Sequence, residues 1–508
     1  MQLAARALNY HFRSRLPKVQ QWIHRPIPCQ QHLWTYLCYA ARNTNFGKTY
    51  HFNSLKKPEQ FAQMVPLQDY ESLKTFIQPI FDGQQNVLWH SDIRYFAKSS
   101  GTTADKSKYI PISTRQLYEN HFKASSDILT LYITANPQSQ LFEGKGVVVG
   151  GSSRLNPLNQ KAMYGDLSAI LSHNMPSIGR YLRTPSVDIA LLPNWEEKLE
   201  RTANLVIRQK ITQMAGVPTW LLVLLRRIIT NTKAENMSEV WRDFELYLHG
   251  GVSFAPYRQQ FEQLFPSEKV QYWQTYNASE GFFGIQDQPQ REDMLLLVNH
   301  DIYYEFLPMS EINAPNPRTL QLHEVEMGVN YALVISNTSG LWRYMLGDTI
   351  QFTTLCPYRI KVTGRTKHYI NAFGEEVMVD NTDQALAQVA KKHQVAVRDY
   401  TVAPCYFDDT QNGAHEWLIA FEQEPKDMEQ FATDLDYALQ QINSDYEAKR
   451  FKDIAMRMPT VRAVPSNIFE QWLRQKNKLG GQNKVPRLSN DRQFLEQILT
   501  IWKEADKL

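Results

Sequence analysis

Residues 95–113, YFAKSSGTTADKSKYIPIS, combine hydroxyl side chains, a glycine and lysines in a way that could bind phosphate. Small residues let backbone N–H groups approach an anion, hydroxyls add donors, and lysines at 106 and 108 supply positive charge. Clusters of Ser, Thr and Gly also form ordinary turns, so both interpretations stay open. The pattern G-x-x-x-x-G-K-[ST] does not fit this stretch, so a phosphate loop here would not be a Walker A loop.

The stretch YNASEGFFG, residues 276–284, follows a strand-like run and places an aromatic ring, a hydroxyl and a carboxylate close together. Tyr276 could stack on a planar base. Glu280 could carry Mg²⁺ beside phosphates, because Mg²⁺ prefers one or two carboxylates together with phosphate oxygens. A β-bulge or a strand end would have the same sequence, so this motif is weak on its own.

Two further stretches could complete a nucleotide-dependent reaction. Asp348 in GLWRYMLGDTIQF (340–352) could accept hydrogen bonds from two neighbouring ribose hydroxyls, although a Gly-Asp turn in a hairpin is the common alternative. Lys484 in KLGGQNKVPRL (478–488) could neutralise a carboxylate and a phosphate as they approach each other. A lysine in a surface loop is more often simply solvated.

Helical and strand-like patterns divide the chain into regions. Residues 1–95 are predicted to be mainly helical, and buried strands with glycine turns begin at GKGVVVGGSS (144–153). Helical patterns follow at 196–214 and 219–231, and residues 268–365 are rich in strand-like runs with β-branched and aromatic residues. These patterns predict an α/β or α+β core.

A second, smaller unit is predicted after Asn371. It contains strands around 397–407 and 415–422 and a helix near 426–447. Apolar residues recur every three or four positions along that helix, as one buried stripe requires: Met428, Phe431, Leu435, Leu439, Ile442 and Tyr446. The sequence therefore predicts a C-terminal α+β domain of about 140 residues, an ordinary size for one domain.

Composition excludes several classes of protein. The chain has 508 residues, a net charge of +3, 43% hydrophobic and 21% charged residues, which is typical of a globular protein and gives no sign of a nucleic-acid partner. The four cysteines form no C-x-x-C pair, which argues against a zinc site or a disulfide framework and favours a reducing, cytoplasmic location.

The N-terminus shows no secretory signal, and the longest apolar run, VPTWLLVLL (217–225), is too short to span a bilayer. No acidic residue precedes Glu59, which resembles a transit peptide in composition. Because Leu8, Phe12 and Leu16 recur at helical spacing, we expect instead a surface helix packed on the domain.

The order of the motifs is more specific than any one of them. A Ser/Thr/Gly loop, Tyr…Ser-Glu-Gly, Arg…Gly-Asp, Gly-Arg and a distal lysine together resemble the adenylate-forming superfamily. Within it the chain resembles the Gretchen Hagen (GH3) acyl acid amido synthetases, named for auxin-responsive plant enzymes and also found in bacteria. Four further stretches resemble that family along the chain: YLCYAARNTNFGKTYHF (36–52), FAQMVPLQDYESLKTFI (61–77), HGGVSFAPY (249–257) and NAFGEEV (371–377).

The resemblance implies roles for individual residues. The phosphates of ATP would be held by Ser99, Ser100, Gly101, Thr102, Thr103 and Lys108. Tyr276 would lie near adenine, Ser279 and Gly281 would shape the nucleotide and acyl sites, and Glu280 would serve Mg²⁺ or the phosphates. Asp348 would hold the ribose, Gly364 and Arg365 would mark the hinge side of the site, and Lys484 would contact the reacting carboxylate and α-phosphate.

Two positions depart from the family pattern. Asp105 stands where the phosphate loop often has glycine, which places an acid near the triphosphate and could change the loop geometry or the nucleotide affinity. Trp342 replaces the usual tyrosine before Arg343, which keeps an aromatic wall and loses a hydroxyl. Neither departure removes a residue on which the chemistry depends.

The resemblance also implies an architecture and a reaction. Residues 1–368 would form a large adenylation domain with the ATP and acyl-acid sites, and residues 369–508 a small mobile domain carrying Lys484. The enzyme would be an AMP-forming ligase that adenylates a carboxylic acid with MgATP and transfers the acyl group to an amino acid. An acyl-CoA ligase and a catalytically inactive small-molecule binder stay as alternatives.

Overall fold

The computed structural model describes residues 2–100, 107–149, 155–192, 194–252, 254, 257–312, 314–366, 369–407, 412–465, 467–475 and 486–505. The chain divides into two compact units. The first comprises Met1–Ser99, Lys108–Gly251 and Gln259–Thr366, and the second Ser100–Ser107, Val252–Arg258 and Lys367–Leu508. The boundary that the sequence predicts between residues 368 and 369 stays a prediction.

The N-terminal region is helical, as its sequence predicts. Its helices are α1 Gln2–Arg13, α2 Leu16–His24, α3 Pro26–Ala41, α4 Asn45–Thr49, α5 Pro58–Met64 and α6 Tyr70–Phe81. The predicted surface helix is α1, whose Phe12 is buried and stacks on Phe142 with ring centroids 4.9 Å apart. Its other face is exposed to solvent, so α1 packs on the first unit through one side only.

The remaining helices of the first unit lie between and around the strands. They are α7 Thr114–Gln116, α8 Lys123–Ala135, α9 Leu167–His173, α10 Ser177–Leu182, α11 Val187–Ala190, α12 Trp195–Val206, α13 Pro218–Thr232, α14 Met237–Val240 and α15 Arg258–Leu264. A π-helical turn, Leu117–Phe122, connects α7 to α8. In the described ranges, none of these helices combines the length and apolarity that a bilayer span requires.

The strands of the first unit build two sheets. They are β1 Ile93–Ser100, β2 Ser107–Ser113, β3 Lys145–Val148, β4 Asn156–Pro157, β5 Met163–Gly165, β6 Arg183–Thr184, β7 Ile211–Gly216, β8 Leu246–His249, β9 Gln271–Ala278, β10 Gly281–Ile285, β11 Met294–Leu296, β12 Ile302–Pro308, β13 Asn330–Asn337, β14 Tyr344–Leu355 and β15 Tyr358–Arg365. The small sheet has the order β2-β1-β5-β4. The large one has the order β12-β13-β14-β15-β11-β10-β9-β8-β7-β3-β6.

The pairing of strands in the large sheet changes from parallel to antiparallel at β9. On one side of it, β6, β3, β7, β8 and β9 pair in parallel. On the other side, all neighbouring strands pair antiparallel, in the order β9, β10, β11, β15, β14, β13 and β12. The turn that follows β9 contains Ser279 and Glu280, so a predicted site lies at the point where the sheet switches from parallel to antiparallel pairing.

The second unit is a smaller α+β structure. Its strands are β16 Tyr369–Ile370, β17 Val377–Met378, β18 Val397–Cys405, β19 Ala414–Phe421 and β20 Thr460–Val464, and its helices are α16 Val379–His393, α17 Met428–Ile442, α18 Ser444–Arg450, α19 Ile468–Gln475 and α20 Gln493–Ala505. β18, β19 and β20 form one sheet. The mixed α/β fold expected from the sequence is confirmed in both units.

Three local expectations need correction. The helical pattern at 196–214 ends with α12, and residues 211–214 belong to the buried strand β7. The helix expected at 426–447 is interrupted at Asn443, whose side chain caps α18 by accepting the N–H of Tyr446. Gly347 and Asp348 lie inside the continuous strand β14, so the hairpin-turn interpretation of Gly-Asp is wrong.

Candidate functional site

The parallel half of the large sheet directs several predicted stretches to one edge. Because β7, β8 and β9 are parallel, their carboxyl ends lie together, at Gly216, His249 and Ala278. Ligands of α/β sheets bind outside this edge of the strands. The sequences that leave it are GVPTW, HGG and the Ser279–Glu280 turn, so these three stretches emerge side by side.

Three predicted site residues meet in one cluster, which we call the Asp348 cluster: Tyr276, Asp348 and Arg365. The Tyr276 hydroxyl donates a hydrogen bond to Asp348 Oδ2 at 2.7 Å. Arg365 Nε lies 2.7 Å from Asp348 Oδ1, and the two residues are register partners on β14 and β15. The cluster joins residues that are up to 89 positions apart in the sequence.

The Asp348 cluster leaves the carboxylate able to accept further hydrogen bonds. An ionised carboxylate has about four lone-pair sites, and Tyr276 and Arg365 engage one oxygen each. Burial, and then the neighbouring Asp348, raise the pKa of Tyr276 well above its usual value, so its hydroxyl stays protonated and donates. The arrangement can hold a pair of ribose hydroxyls, which would donate to the remaining positions.

Glu280 lies in a turn that is held from two other parts of the first unit. Its backbone carbonyl accepts hydrogen bonds from the side-chain amides of Asn337 at 3.0 Å and Gln116 at 3.4 Å. Glu280 as a residue is 9% exposed, and its carboxylate faces the Tyr344 hydroxyl. Burial, and then the neighbouring Glu280, raise the pKa of Tyr344. The turn therefore presents one nearly buried carboxylate in a fixed place.

Gly281 and Asn120 pack closely around this turn. A Cβ on Gly281 would lie 2.6 Å from Ile302 Cδ1, so a larger residue would require the Ile302 side chain to move. Asn120, in the π-helical turn, accepts the N–H of Phe282 at 2.7 Å and donates to the carbonyls of Phe282 and His300. π-helical turns occur often at functional sites.

The remaining predicted residues are placed as follows. Ser99 and Ser100 end β1, Ser279 is in the turn after β9, and the Lys108 Nζ lies 5.9 Å from the Tyr70 ring centroid. Gly101, Thr102, Thr103 and Lys484 lie outside the described residues, as does Asp105. The structure thus brings together Tyr276, Asp348 and Arg365 and leaves their predicted roles, like the others, as predictions.

The pair Trp342–Arg343 lies in the protein interior. Trp342 is fully buried, donates its indole N–H to the Leu88 carbonyl at 3.0 Å and packs against aromatic rings of the N-terminal helices. Arg343, at φ 45°, forms a buried ion pair with Glu305 and donates to the carbonyls of Ala62 and Val65. These contacts tie the segment before β14 to the N-terminal helices.

Sequence reasoning missed the residues that support this site. Gln116, Asn120 and Asn337 were not among the predicted residues, and their side chains form hydrogen bonds to the β9–β10 turn. No spacing in the sequence links these residues, because they are on strands and turns that come together only through the sheet. The run of polar residues in RQLYENHF (115–122) is a signal that could have pointed to Gln116 and Asn120, whereas Asn337 has no such signal.

Comparison with known proteins identifies the family. The GH3 family N-terminal domain matches residues 15–270, the GH3 family central domain matches 295–365 and the GH3 family C-terminal domain matches 380–493. The chain belongs to the GH3 family. The resemblance predicted from the order of the motifs is therefore confirmed.

Individual relatives agree with this assignment. The GH3 chain is 22% identical to indole-3-acetic acid-amido synthetase GH3.3 of Arabidopsis thaliana over 528 residues, covering 88% of this chain and 86% of the relative. Its fold is similar to that of the AtGH3.15 acyl acid amido synthetase in complex with 2,4-DB, with a TM-score of 0.63, 16% identity and coverage of 97% and 96%. It is also similar to 2-hydroxyisobutyryl-CoA ligase with 2-HIB-AMP and CoA, with a TM-score of 0.58, 14% identity and coverage of 94% and 92%.

Proposed function

We propose that this GH3 protein is an ATP-dependent acyl acid amido synthetase. A carboxylate oxygen of the acid attacks the α-phosphate of MgATP, and pyrophosphate leaves. The amine of an amino acid then attacks the acyl carbonyl, AMP leaves and the nitrogen loses a proton, which gives an amide. The observation that carries this proposal is the Asp348 cluster at the edge of the sheet in a chain that matches all three GH3 domains.

The roles of the site residues follow from their chemistry. Asp348 would bind the ribose, with Tyr276 and Arg365 fixing its orientation beside adenine and the hinge. The loop from Ser99 to Thr103, with Lys108, would bind the phosphates, and Ser279 and Gly281 would shape the adjoining acyl site. Positioning and charge neutralisation of this kind supply most of the catalysis in phosphate chemistry without a protein nucleophile.

Mg²⁺ would enter with ATP as part of the substrate. In the described part of the chain no group of three or more His, Cys, Asp and Glu side chains is arranged to hold a metal. A single carboxylate fits Mg²⁺ that is bound mainly by phosphates, because this ion keeps several phosphate or water ligands. Glu280, nearly buried at the strand turn, is the residue we assign to it.

The acyl acid is proposed to have an apolar or aromatic body. The helix α13 begins in the GVPTW stretch at the carboxyl edge of the sheet, and its Leu221, Leu222, Leu224 and Leu225 are fully buried. His249 and the HGG stretch leave the same edge one strand away. An apolar wall with a few polar groups is typical of sites for small organic ligands.

We propose that residues 1–368 form the adenylation domain and that residues 369–508 form a mobile domain that turns at about 364–371 and delivers Lys484. Lys484 would neutralise the carboxylate and the α-phosphate as they react. We also propose a cytoplasmic location, consistent with the four free cysteines.

The direct test is to identify the products. Purified protein is incubated with MgATP, a panel of aryl and alkyl carboxylic acids, mixed amino acids and CoA, and the mixture is analysed by mass spectrometry. We expect one acid to yield an amino acid conjugate together with AMP. A CoA thioester would instead place the protein with the CoA ligases that share its fold, and ATP binding without AMP formation from any acid would contradict the proposal.

A further inference from the structure

The turn formed by residues 371–376, NAFGEE, forms hydrogen bonds within itself and with three other segments of the second unit. The carboxylate of Glu375 accepts hydrogen bonds from the N–H groups of Ala372 at 3.1 Å and Phe373 at 2.6 Å. Gly374 has φ 89° and Glu376 has φ 41°, so the backbone reverses direction tightly. Glu375 is fully buried, and its side chain therefore serves the turn and not the solvent.

The first contact from elsewhere in the chain comes from the sheet of the second unit. His415 on β19 is also fully buried, and its Nε2 lies 2.8 Å from Glu375 Oε1. The Phe373 ring packs over Gly413, where a Cβ would lie 2.2 Å from the ring. The turn therefore contacts β19 through one hydrogen bond at His415, and the residue before β19 through one close ring contact.

The second contact comes from the segment Val252–Arg258, which belongs to the second unit although the chain on both sides of it belongs to the first. The Tyr257 hydroxyl donates to the Ala372 carbonyl at 2.5 Å. Its ring is fully buried and packs against Tyr406 and Phe407, with centroids 5.9 and 6.0 Å apart. This segment directly follows the HGG stretch at the end of β8.

The third contact comes from residues 486–490. The N–H of Asn371 donates to Asn490 Oδ1 at 2.6 Å, and the Tyr406 hydroxyl donates to the Asn490 carbonyl at 2.5 Å. The same segment is fixed along β18: the carbonyl of Pro486 accepts from the Thr401 hydroxyl at 2.7 Å, and that of Arg487 accepts from the Val402 N–H at 2.8 Å. Pro486 is two residues beyond Lys484 in the chain.

We infer that the turn 371–376 is a positioning junction, which joins the segment Val252–Arg258 to residues 486–490 and so sets the place from which the lysine at 484 is presented. The effect of the junction on the reaction rests on the proposed function. The coupling between the two segments rests on the contacts alone. Tyr257, Glu375 and Asn490 act as positioning residues, because each holds a backbone group of the turn and none has been placed in the nucleotide site.

The mechanical part is tested without any substrate. Hydrogen–deuterium exchange is measured in the full chain for wild type, Tyr257→Phe and, as a matched control, Tyr437→Phe, which changes a tyrosine of α17 that is 64% exposed. Tyr257→Phe is expected to speed exchange of amides both in 371–376 and in 486–490 by at least about fivefold, as losing a net hydrogen bond of about 1 kcal/mol predicts. The control should leave both segments unchanged. A change restricted to residues near 257 would overturn the inference.

The catalytic part is tested by a double-mutant cycle with acid-dependent ATP–pyrophosphate exchange as the readout. Asn490→Ala is expected to lower the exchange rate about tenfold with an unchanged KM for ATP, which corresponds to about 1.4 kcal/mol, and Asn490→Asp, which keeps an acceptor oxygen, should recover most of it. Asn467→Ala, an exposed change in the same unit, is the control. In the Lys484→Ala background, Asn490→Ala should cause no further loss.

The outcomes separate this inference from the proposed function. If Asn490→Ala lowers the exchange by the same factor with and without Lys484, the two residues act independently and the junction is wrong. If wild type shows no acid-dependent exchange at all, the proposed function fails, whereas the amide-exchange result still decides whether the junction exists.

Discussion

The Asp348 cluster and the turn 371–376 are both built from residues that are distant in the sequence, but they are held in different ways. In the cluster, side chains converge from strands whose register the sheet fixes: Asp348 faces Arg365 across the β14–β15 ladder. In the turn, backbone groups are held by the side chains of Tyr257, Glu375 and Asn490.

The two kinds of support predict different effects of substitution, one on ligand binding and the other on the stability of the fold. A strand ladder keeps its hydrogen bonds when one side chain is shortened, so changes in the Asp348 cluster should alter ligand binding and leave the fold intact. In the turn, two N–H groups donate to a single buried carboxylate, and removing it leaves them without an acceptor. Each unsatisfied buried donor costs about 1–3 kcal/mol. We therefore expect substitutions in the two regions to affect different measurements.

The largest effect is expected in the turn. Glu375→Ala removes the acceptor of two buried N–H groups and of His415, so the free energy of unfolding should fall by about 3 kcal/mol or more. Urea denaturation followed by circular dichroism measures this loss, with Glu422→Ala, an exposed glutamate of the same unit, as the control. A decrease below about 1 kcal/mol would show that the turn is held in some other way.

A smaller effect, on binding only, is expected in the cluster. Asp348→Asn removes the negative charge of the carboxylate to which the ribose hydroxyls are proposed to donate hydrogen bonds. Because hydrogen bonds to a charged group contribute about 1.5–3 kcal/mol, the Kd for MgATP should rise about 10- to 100-fold. Isothermal titration calorimetry measures this Kd. As a control, Asp293→Asn changes another carboxylate of the first unit that is paired with an arginine, and it should leave the Kd unchanged. Equal losses for both variants would mean that Asp348 acts on the fold.

The smallest effect concerns the pH dependence of stability and a buried histidine beside the residue that holds the β9–β10 turn. His121 lies beside Asn120 in the π-helical turn, is fully buried, and neither of its ring nitrogens has a hydrogen-bond partner in the described ranges. Burial lowers the pKa of His121 to about 4. The unfolded chain, with a histidine pKa near about 6.5, binds a proton that the folded chain does not, so stability falls as the pH drops from there toward 4.

The sign of this effect can be checked by substitution. Because only the unfolded chain binds this proton, His121 should lower the free energy of unfolding by about 1.4 kcal/mol at pH 5.5 relative to pH 8. Urea denaturation at both pH values should show a smaller acid-induced loss for His121→Leu than for wild type, while His11→Leu, an exposed change on α1, behaves as wild type. An identical loss in all three proteins would mean that His121 is protonated in the folded state as readily as in the unfolded one.

The sequence predicts the local elements well and the convergence of distant ones poorly. The strand-like runs after 268 and the helical N-terminus are where periodicity places them, because a pattern of period two or 3.6 is a local property. For Asp348 the sequence left a Gly-Asp turn and a binding residue as alternatives, and the residue lies inside β14, which continues through Gly347 at φ 91°. Tyr276, 72 residues before Asp348, donates to it although β15, β11 and β10 lie between their strands in the sheet order, so the local pattern of neither strand indicates the contact.

The contacts of the second unit could not be predicted for a related reason. NAFGEE and HGGVSFAPY both resemble the GH3 family, but nothing in their spacing indicates that Tyr257 would donate to Ala372, 115 residues later. Tertiary hydrogen bonds between side chains and backbone carry no periodicity. The roles of Ser99, Ser100, Gly101, Thr102, Thr103 and Lys484 are carried by the family resemblance, since most of these residues lie outside the described ranges.

In the proposed reaction, an oxygen of the acid itself attacks the α-phosphate of ATP. It is tested most directly by supplying the acid with both carboxylate oxygens labelled as ¹⁸O, together with MgATP and the amino acid, and measuring the masses of the nucleotide and the phosphates. Adenylation predicts one ¹⁸O in AMP and none in pyrophosphate. Label in inorganic phosphate, with ADP as the nucleotide, would contradict the account, because the acid would then have attacked the γ-phosphate.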